Sequence, residues 1–256
     1  MNSSKYNGIT EGVIWKQLML FFLPVLLGTF FQQLYNTVDA VIVGRFVGKE
    51  ALAAVGGSSS QILNLLIGFF TGVTSGAAVI VAQYYGARDA EDSSRSVHTA
   101  MILAIACGAI MTVVGILTAP ALLRIMETPE DTMADSIVYM RWVYMAMIPG
   151  MVYNMGSAIL RAVGDSKHPL YFLIACCLIN VVLDLLFVVT FNMGVAGAAV
   201  ATALSQLLSA VMVCWFLARP KTEESVRLEL SKLRTDWKLM RRTVHIGLPA
   251  GLQAVL

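Results

Sequence analysis

Residues 34–48 read LYNTVDAVIVGRFVG, and the aspartate inside them decides how the chain is built. Asp39 is the single charge between Gln17 and Gly44, a run long and apolar enough to cross a bilayer. A helix needs about 20 mainly apolar residues to cross the hydrocarbon core. A charged side chain at mid-bilayer costs at least about 2.5–3.5 kcal/mol, so it normally turns inward to a cavity or a partner. The stretch therefore predicts a membrane helix with an inward-facing acid.

The rest of the chain has the same character. Of its 256 residues, 57% are hydrophobic and 13% charged, with a mean hydropathy of +0.73. Soluble domains carry about 25% charged residues. Six segments qualify as spans: 17–43, 51–85, 97–120, 136–160, 169–191 and 195–218. The second is charge-free from Ala51 to Ala87. At about 1.5 Å per residue it exceeds a core of about 30 Å, so it should tilt or project into water. Phe191-Asn192-Met193-Gly194 separates the last two spans, a turn tight enough to make them antiparallel neighbours. These runs are too long for the strands of a transmembrane barrel. The expected fold class is an all-α membrane protein with a six-transmembrane-helix bundle.

Basic residues orient the bundle. With the N-terminus inside, the inner side holds Lys5, Lys16, Arg88, Arg95, Arg161, Lys167, Arg219, Lys221, Arg227, Lys232, Arg234, Lys238, Arg241 and Arg242. The outer side holds Arg45, Lys49, Arg124 and Arg141. That asymmetry predicts a multi-pass membrane protein with a cytoplasmic N-terminus. The basic loop 219–242 also contains Glu223, Glu224, Glu229 and Asp236, so it reads as a linker beside the membrane and not as a nucleic-acid patch. The N-terminal run is too long for a cleaved signal.

After the loop, HIGLPAGLQAVL starts a seventh apolar segment with 11 residues from position 246, too few to span. Gly247-Leu248-Pro249 follows basic Arg241 and Arg242, much as Phe22-Leu23-Pro24 follows Lys16. Six helices, a linker and a restart suggest two parallel repeats of six. The expected organisation is a six-helix lobe over 1–218, an interlobe linker over 219–245, and the start of helix 7 over 246–256, with the C-terminal lobe missing.

Of the sixteen Asp and Glu residues, only Asp39 and Asp184 lie inside apolar runs. On the first span Gln32, Tyr35, Asn36 and Asp39 share one helical face. On the fifth, Asn180 and Asp184 are one turn apart. If the faces meet, they form a polar pocket that Tyr139, Asn154 and Thr202 could line. A lone buried carboxyl or amide is also explained by an interhelical hydrogen bond, worth roughly 0.6 kcal/mol. Two aspartates with amide companions suggest more. Burial and a second carboxylate both oppose ionisation, so such a site can hold and release a proton. Its carboxylate, amide and hydroxyl oxygens equally suit Na⁺ at Asp39, Asp184 and Asn180. Pro24 removes a backbone bond 15 residues before Asp39 and makes either a static kink or a hinge. Gly68, Gly72 and Gly76 have the spacing of a close helix crossing.

Enzyme signatures are missing: the sequence has no HExxH, Walker loop, GxSxG or CxxC. Cys107, Cys176, Cys177 and Cys214 lie in apolar runs and read as small hydrophobes. The expectation is a non-enzyme with no cofactor beyond its coupling ion.

The pattern resembles the multidrug and toxic compound extrusion (MATE) transporters. The resemblance is carried by LPVLLGTFFQQLYNTVDAVIVGRFVGKEALAAVG, AQYYGARD, LRAVGDSKHPLYF, INVVLDLLFV, GVAGAAVATALSQ and GLPAGLQ. It implies the N-terminal lobe of a twelve-helix secondary antiporter that exports organic, often cationic, small molecules in exchange for H⁺ or Na⁺. It places the coupling acids at Asp39 and Asp184, and polar companions at Gln32, Tyr35, Asn36, Tyr139, Asn154, Asn180 and Thr202. It places the first-helix proline at Pro24. The implied mechanism is alternating access. A lipid-linked oligosaccharide flippase of the same superfamily is the alternative. It would want a basic cavity for pyrophosphate, and no Lys or Arg interrupts the spans away from their ends.

Overall fold

The computed structural model describes residues 14–220, 222–229 and 235–255. Expectations placed on Lys5, Lys221, Lys232 and Arg234 lie outside the described residues. The fold is all-helical. In chain order the helices are α1 (Ile14–Phe46), α2 (Lys49–Gly56), α3 (Ser58–Gly86), α4 (Ala90–Ile125), α5 (Glu130–Met145), α6 (Met147–Ala162), α7 (Lys167–Asp184), α8 (Gly194–Ala218) and α9 (Trp237–Val255). Five spans are long and apolar enough to cross a membrane, or six when α5 and α6 count as one bent span. The six expected spans are therefore present, and three of them are not continuous α-helix.

The second span is interrupted at Gly57, between α2 and α3, and together they make one span of 38 residues, Lys49–Gly86. A Cβ at Gly57 would stand 2.4 Å from the carbonyl oxygen of Ala53, so only glycine permits the interruption. Ser60 Oγ donates to the carbonyls of Gly56 and Gly57 at 2.7 and 2.9 Å. Such repair is needed wherever a helix is interrupted in lipid.

The fourth span bends by 48° between α5 and α6. Pro149 causes it, because it lacks the N–H that would reach Met145 and its ring crowds that turn. Thr112 Oγ1 on α4 donates to the carbonyl of Tyr144 at 2.7 Å. Gly108 and Gly115 on α4 receive the bend: a Cβ on them would meet Ile148 Cα at 2.7 Å and the Tyr144 ring at 2.3 Å.

The fifth span changes pitch. α7 ends at Asp184 and continues as a π-helical turn over Leu185–Thr190. The expected tight turn follows, with Asn192 and Gly194 both left-handed (φ 52° and 58°).

α9 begins at Trp237, nine residues before the expected start at 246, which shortens the linker to 219–236. Asp236 starts it, its Oδ1 accepting from the N–H groups of Lys238 and Leu239 at 2.8 and 3.2 Å. α9 then crosses α3 at backbone contact. A Cβ at Gly72 would stand 2.0 Å from Gly251 N, and one at Gly76 would stand 2.7 Å from Gly247 N. Gly72 and Gly76 of α3 are thus matched by Gly247 and Gly251 on α9.

The chain before α9 is strapped to the bundle. Val226 and Leu228 are buried, and Leu228 N donates to Leu217 O at 3.0 Å. His98 on α4 is 2% exposed. Its Nδ1 lies 2.7 Å from Ser94 O, and its Nε2 accepts from Glu229 N at 3.0 Å. Tyr85 donates to Glu223 at 2.9 Å, and Asp236 N donates to Thr99 Oγ1 at 3.3 Å. α1 lies at the edge: only 6% of its most apolar window is buried, so most of its surface is left for lipid or a neighbour.

Candidate functional site

α1 packs along α7, and this contact brings the two expected faces together. Asp39 lies seven residues before the end of α1, and Asp184 is the last residue of α7 before the π-turn. Their carboxyls lie close to one another. Both are enclosed: Asp39 is 7% exposed, and Asp184 and Asn180 are 0% exposed.

Two tyrosines close the group. Tyr35, one turn before Asp39, donates to Thr202 Oγ1 on α8 at 3.3 Å. Tyr139 on α5 is buried, and both tyrosines lie within electrostatic reach of the two carboxyls. Four helices, α1, α5, α7 and α8, therefore contribute to one polar cluster. The bend at Ala146 and the π-turn after Asp184 flank it in sequence. Pitch changes of this kind concentrate at functional sites, and neither was marked in the sequence reading.

The cluster is not internally satisfied. Asp39 Oδ1, both oxygens of Asp184, and both the oxygen and nitrogen of the Asn180 amide are buried without a hydrogen-bond partner. Each such group costs about 1–3 kcal/mol. Most buried polar atoms in native structures are paired, so a cluster of unpaired oxygens requires an explanation. A proton on one carboxyl would bridge the pair. A Na⁺ ion would be met by hard oxygen donors. Among the described residues no three His, Cys, Asp or Glu side chains converge, so a cation here would be held by two carboxylates with amide and hydroxyl oxygens.

Other expected residues lie elsewhere. Gln32 and Asn36 are exposed on α1, with Asn36 Nδ2 donating to Gln33 Oε1 at 3.4 Å. They share the helix with Asp39 but not its buried side. Asn154 is exposed on α6, whose buried face is carried by Gly150, Met151, Met155 and Ile159. The structure does not bring these three into the cluster. α1 runs unbroken through Pro24, about 22 Å from Asp39 along the axis.

The MatE family model matches residues 24–186, a stretch that includes both aspartates. The chain is 30% identical over 252 residues to the probable multidrug resistance protein YpnP of Bacillus subtilis (strain 168), covering 98% of this chain and 56% of that protein. Its fold matches a solved multidrug resistance MATE family transporter of the MOP superfamily in an outward-facing conformation. That match has a TM-score of 0.90 and 26% identity, over 100% of this chain and 56% of the other. A transporter so described in an inward-facing conformation matches with a TM-score of 0.79 and 28% identity, over 88% of this chain and 50% of the other. The chain spans about half the length of the curated relatives it matches.

Proposed function

The chain belongs to the MatE family, and from that premise we propose that it forms the N-terminal lobe of an ion-coupled multidrug exporter. The cluster of Asp39, Asp184 and Asn180 is its coupling site. The observation that carries this reading is the set of buried, unpartnered oxygens on two adjacent acids.

The mechanism follows from what those atoms need. With both carboxyls ionised and no cation, two like charges face each other in a medium that screens them poorly. Binding H⁺ or Na⁺ removes that repulsion and lets α1 and α7 close. Release of the ion reopens the site. A ligand shifts a conformational balance only through different affinities for the two states, and an acid pair that is relaxed in one state and repelled in the other supplies that difference. Tyr35, Tyr139 and Thr202 orient the acids. Gln32, Asn36 and Asn154 lie outside the cluster and are assigned to the surface that meets substrate between the two lobes. Pro24 is assigned to flexing of α1, since the N–H it lacks leaves the Leu20 carbonyl without its helical donor.

In this reading the N-terminus is cytoplasmic, the membrane is the inner membrane, and the second lobe completes the substrate cavity for organic, often cationic, compounds. The lobes alternate access around a midplane site. Relatives solved in outward- and inward-facing conformations support that cycle.

The test uses the full encoded protein in proteoliposomes with ethidium as substrate, under separate pH and Na⁺ gradients. Wild type is expected to export under one gradient and Asp39→Asn to lose that coupling while staying folded. Equal export by the variant under both gradients would make Asp39 a structural carboxyl.

A further inference from the structure

The structure also contains an open groove of about 810 Å³, at the opposite end of the bundle from the acid pair. Its walls are the end of α3, the start of α4 and the start of α9. Lys238, Arg241, Arg242 and His245 fall at helical spacing on α9, and Arg95 faces them from α4. The acids in the groove are Asp92 and Asp236. Asp92 is paired with Arg95 at 3.4 Å, and Asp236 Oδ1 caps α9. Arg242 donates to Gln83 at 2.9 Å. Among the described residues Lys238 and Arg241 form no ion pair, so the groove keeps an uncompensated positive charge.

The aromatic residues fix the level of this groove. Trp15 at the start of α1, Trp215 near the end of α8 and Trp237 at the start of α9 are 68%, 61% and 77% exposed. All three lie at the same end of the bundle. Exposed tryptophans at helix ends mark the headgroup layer of a membrane. The Arg219 guanidinium lies 3.3 Å over the Trp215 ring, a basic group held in that layer. Trp237 is followed at once by Lys238, so the basic stripe of α9 starts at the depth of the lipid phosphates. Basic pockets between transmembrane helices at this depth suit phosphate-bearing headgroups.

We infer that this groove binds the headgroup of an anionic phospholipid, with Lys238 and Arg241 contacting the phosphate. Arg95 and Arg242 already hold protein partners and shape the walls. The inference does not rest on ion coupling at Asp39, so a protein with an inert acid pair would still bind the lipid.

The test titrates the full encoded protein in nonionic detergent with phosphatidylglycerol or phosphatidylcholine and counts retained lipids by native mass spectrometry. Phosphatidylglycerol is expected to be retained selectively. Each lysine or arginine near a membrane surface contributes roughly a fivefold change, so Lys238→Gln with Arg241→Gln should weaken retention at least about tenfold. Arg124→Gln, at the other end of α4, should change nothing. Both lost charges are on exposed side chains, and Lys238→Glu provides a second variant if the double change lowers yield. Equal retention by the double variant and wild type would overturn the proposal, as would a groove covered by the second lobe and retaining no lipid. Binding of inorganic phosphate through Lys238 and Arg241 without any preference for phosphatidylglycerol would assign the site to a soluble anion and overturn the lipid.

Discussion

The bundle has two buried polar groups at opposite ends, and they treat their hydrogen bonds differently. Around His98 the ring nitrogens are engaged, with Ser94 O at 2.7 Å and Glu229 N at 3.0 Å. Around Asp39 the neighbouring oxygens and the Asn180 amide are left without partners. A satisfied network rigidifies its surroundings, and an unsatisfied one costs free energy in the absence of a ligand. The first group fastens one segment to another. The second is the group that we propose takes up a cation.

Substitutions can separate these roles. The largest expected effect is on transport: Asp184→Asn should lower gradient-driven export at least about a hundredfold, near 2.7 kcal/mol. Its thermal midpoint should equal or exceed wild type, because a neutral amide removes the repulsion within the pair. A lower midpoint with export intact would return Asp184 to a structural role. Gly72→Ala, at the middle of α3, tests the crossing with α9. The added methyl has no room against Gly251, so the α3–α9 crossing should open at a cost of about 1–3 kcal/mol, read as a lower midpoint. His98→Ala should cost about 1–3 kcal/mol by removing the ring nitrogen that accepts from the Glu229 N–H. It should also speed tryptic cleavage at Arg227, while export per folded molecule stays unchanged. The smallest effect is Tyr35→Phe, which removes the hydroxyl that reaches Thr202 and should cost roughly 0.6 kcal/mol. A large loss of export in Tyr35→Phe would instead place that hydroxyl among the ion's ligands.

Much of this was legible in the sequence, for a physical reason. Lipid tolerates so few charges that Asp39 and Asp184 stand out from a single chain. Helical spacing then placed Asn180 beside Asp184. The spans were legible because each is long and apolar. Spacing also grouped Gln32 and Asn36 with Asp39, and there it misled. α1 is an edge helix with a narrow buried side: Tyr35 and Asp39 lie on it, while Gln32 and Asn36, slightly rotated from it, fall on the open side. The interruption at Gly57 had a visible signal in Gly56-Gly57-Ser58, outweighed by the surrounding apolar run. The start of α9 was signalled by Asp236 as a cap but hidden by basic residues that read as loop. The π-turn after Asp184 had no signal, because it lies within an apolar run that reads as ordinary helix. The strap through His98 had none either, since it joins residues 131 positions apart.

The glycine crossing of α3 and α9 has a consequence for biosynthesis. α9 follows the linker in sequence, yet it is seated on the first six spans and anchored ahead of itself by Asp236 on Thr99. A translating ribosome must therefore release residues through Gly251 before this bundle can finish assembling. A split-gene experiment that divides the chain within the linker, at 219–236, would cut a cooperative unit and leave the exposed glycines of α3 uncovered. Expressing residues through Gly251 as one piece would keep that unit whole.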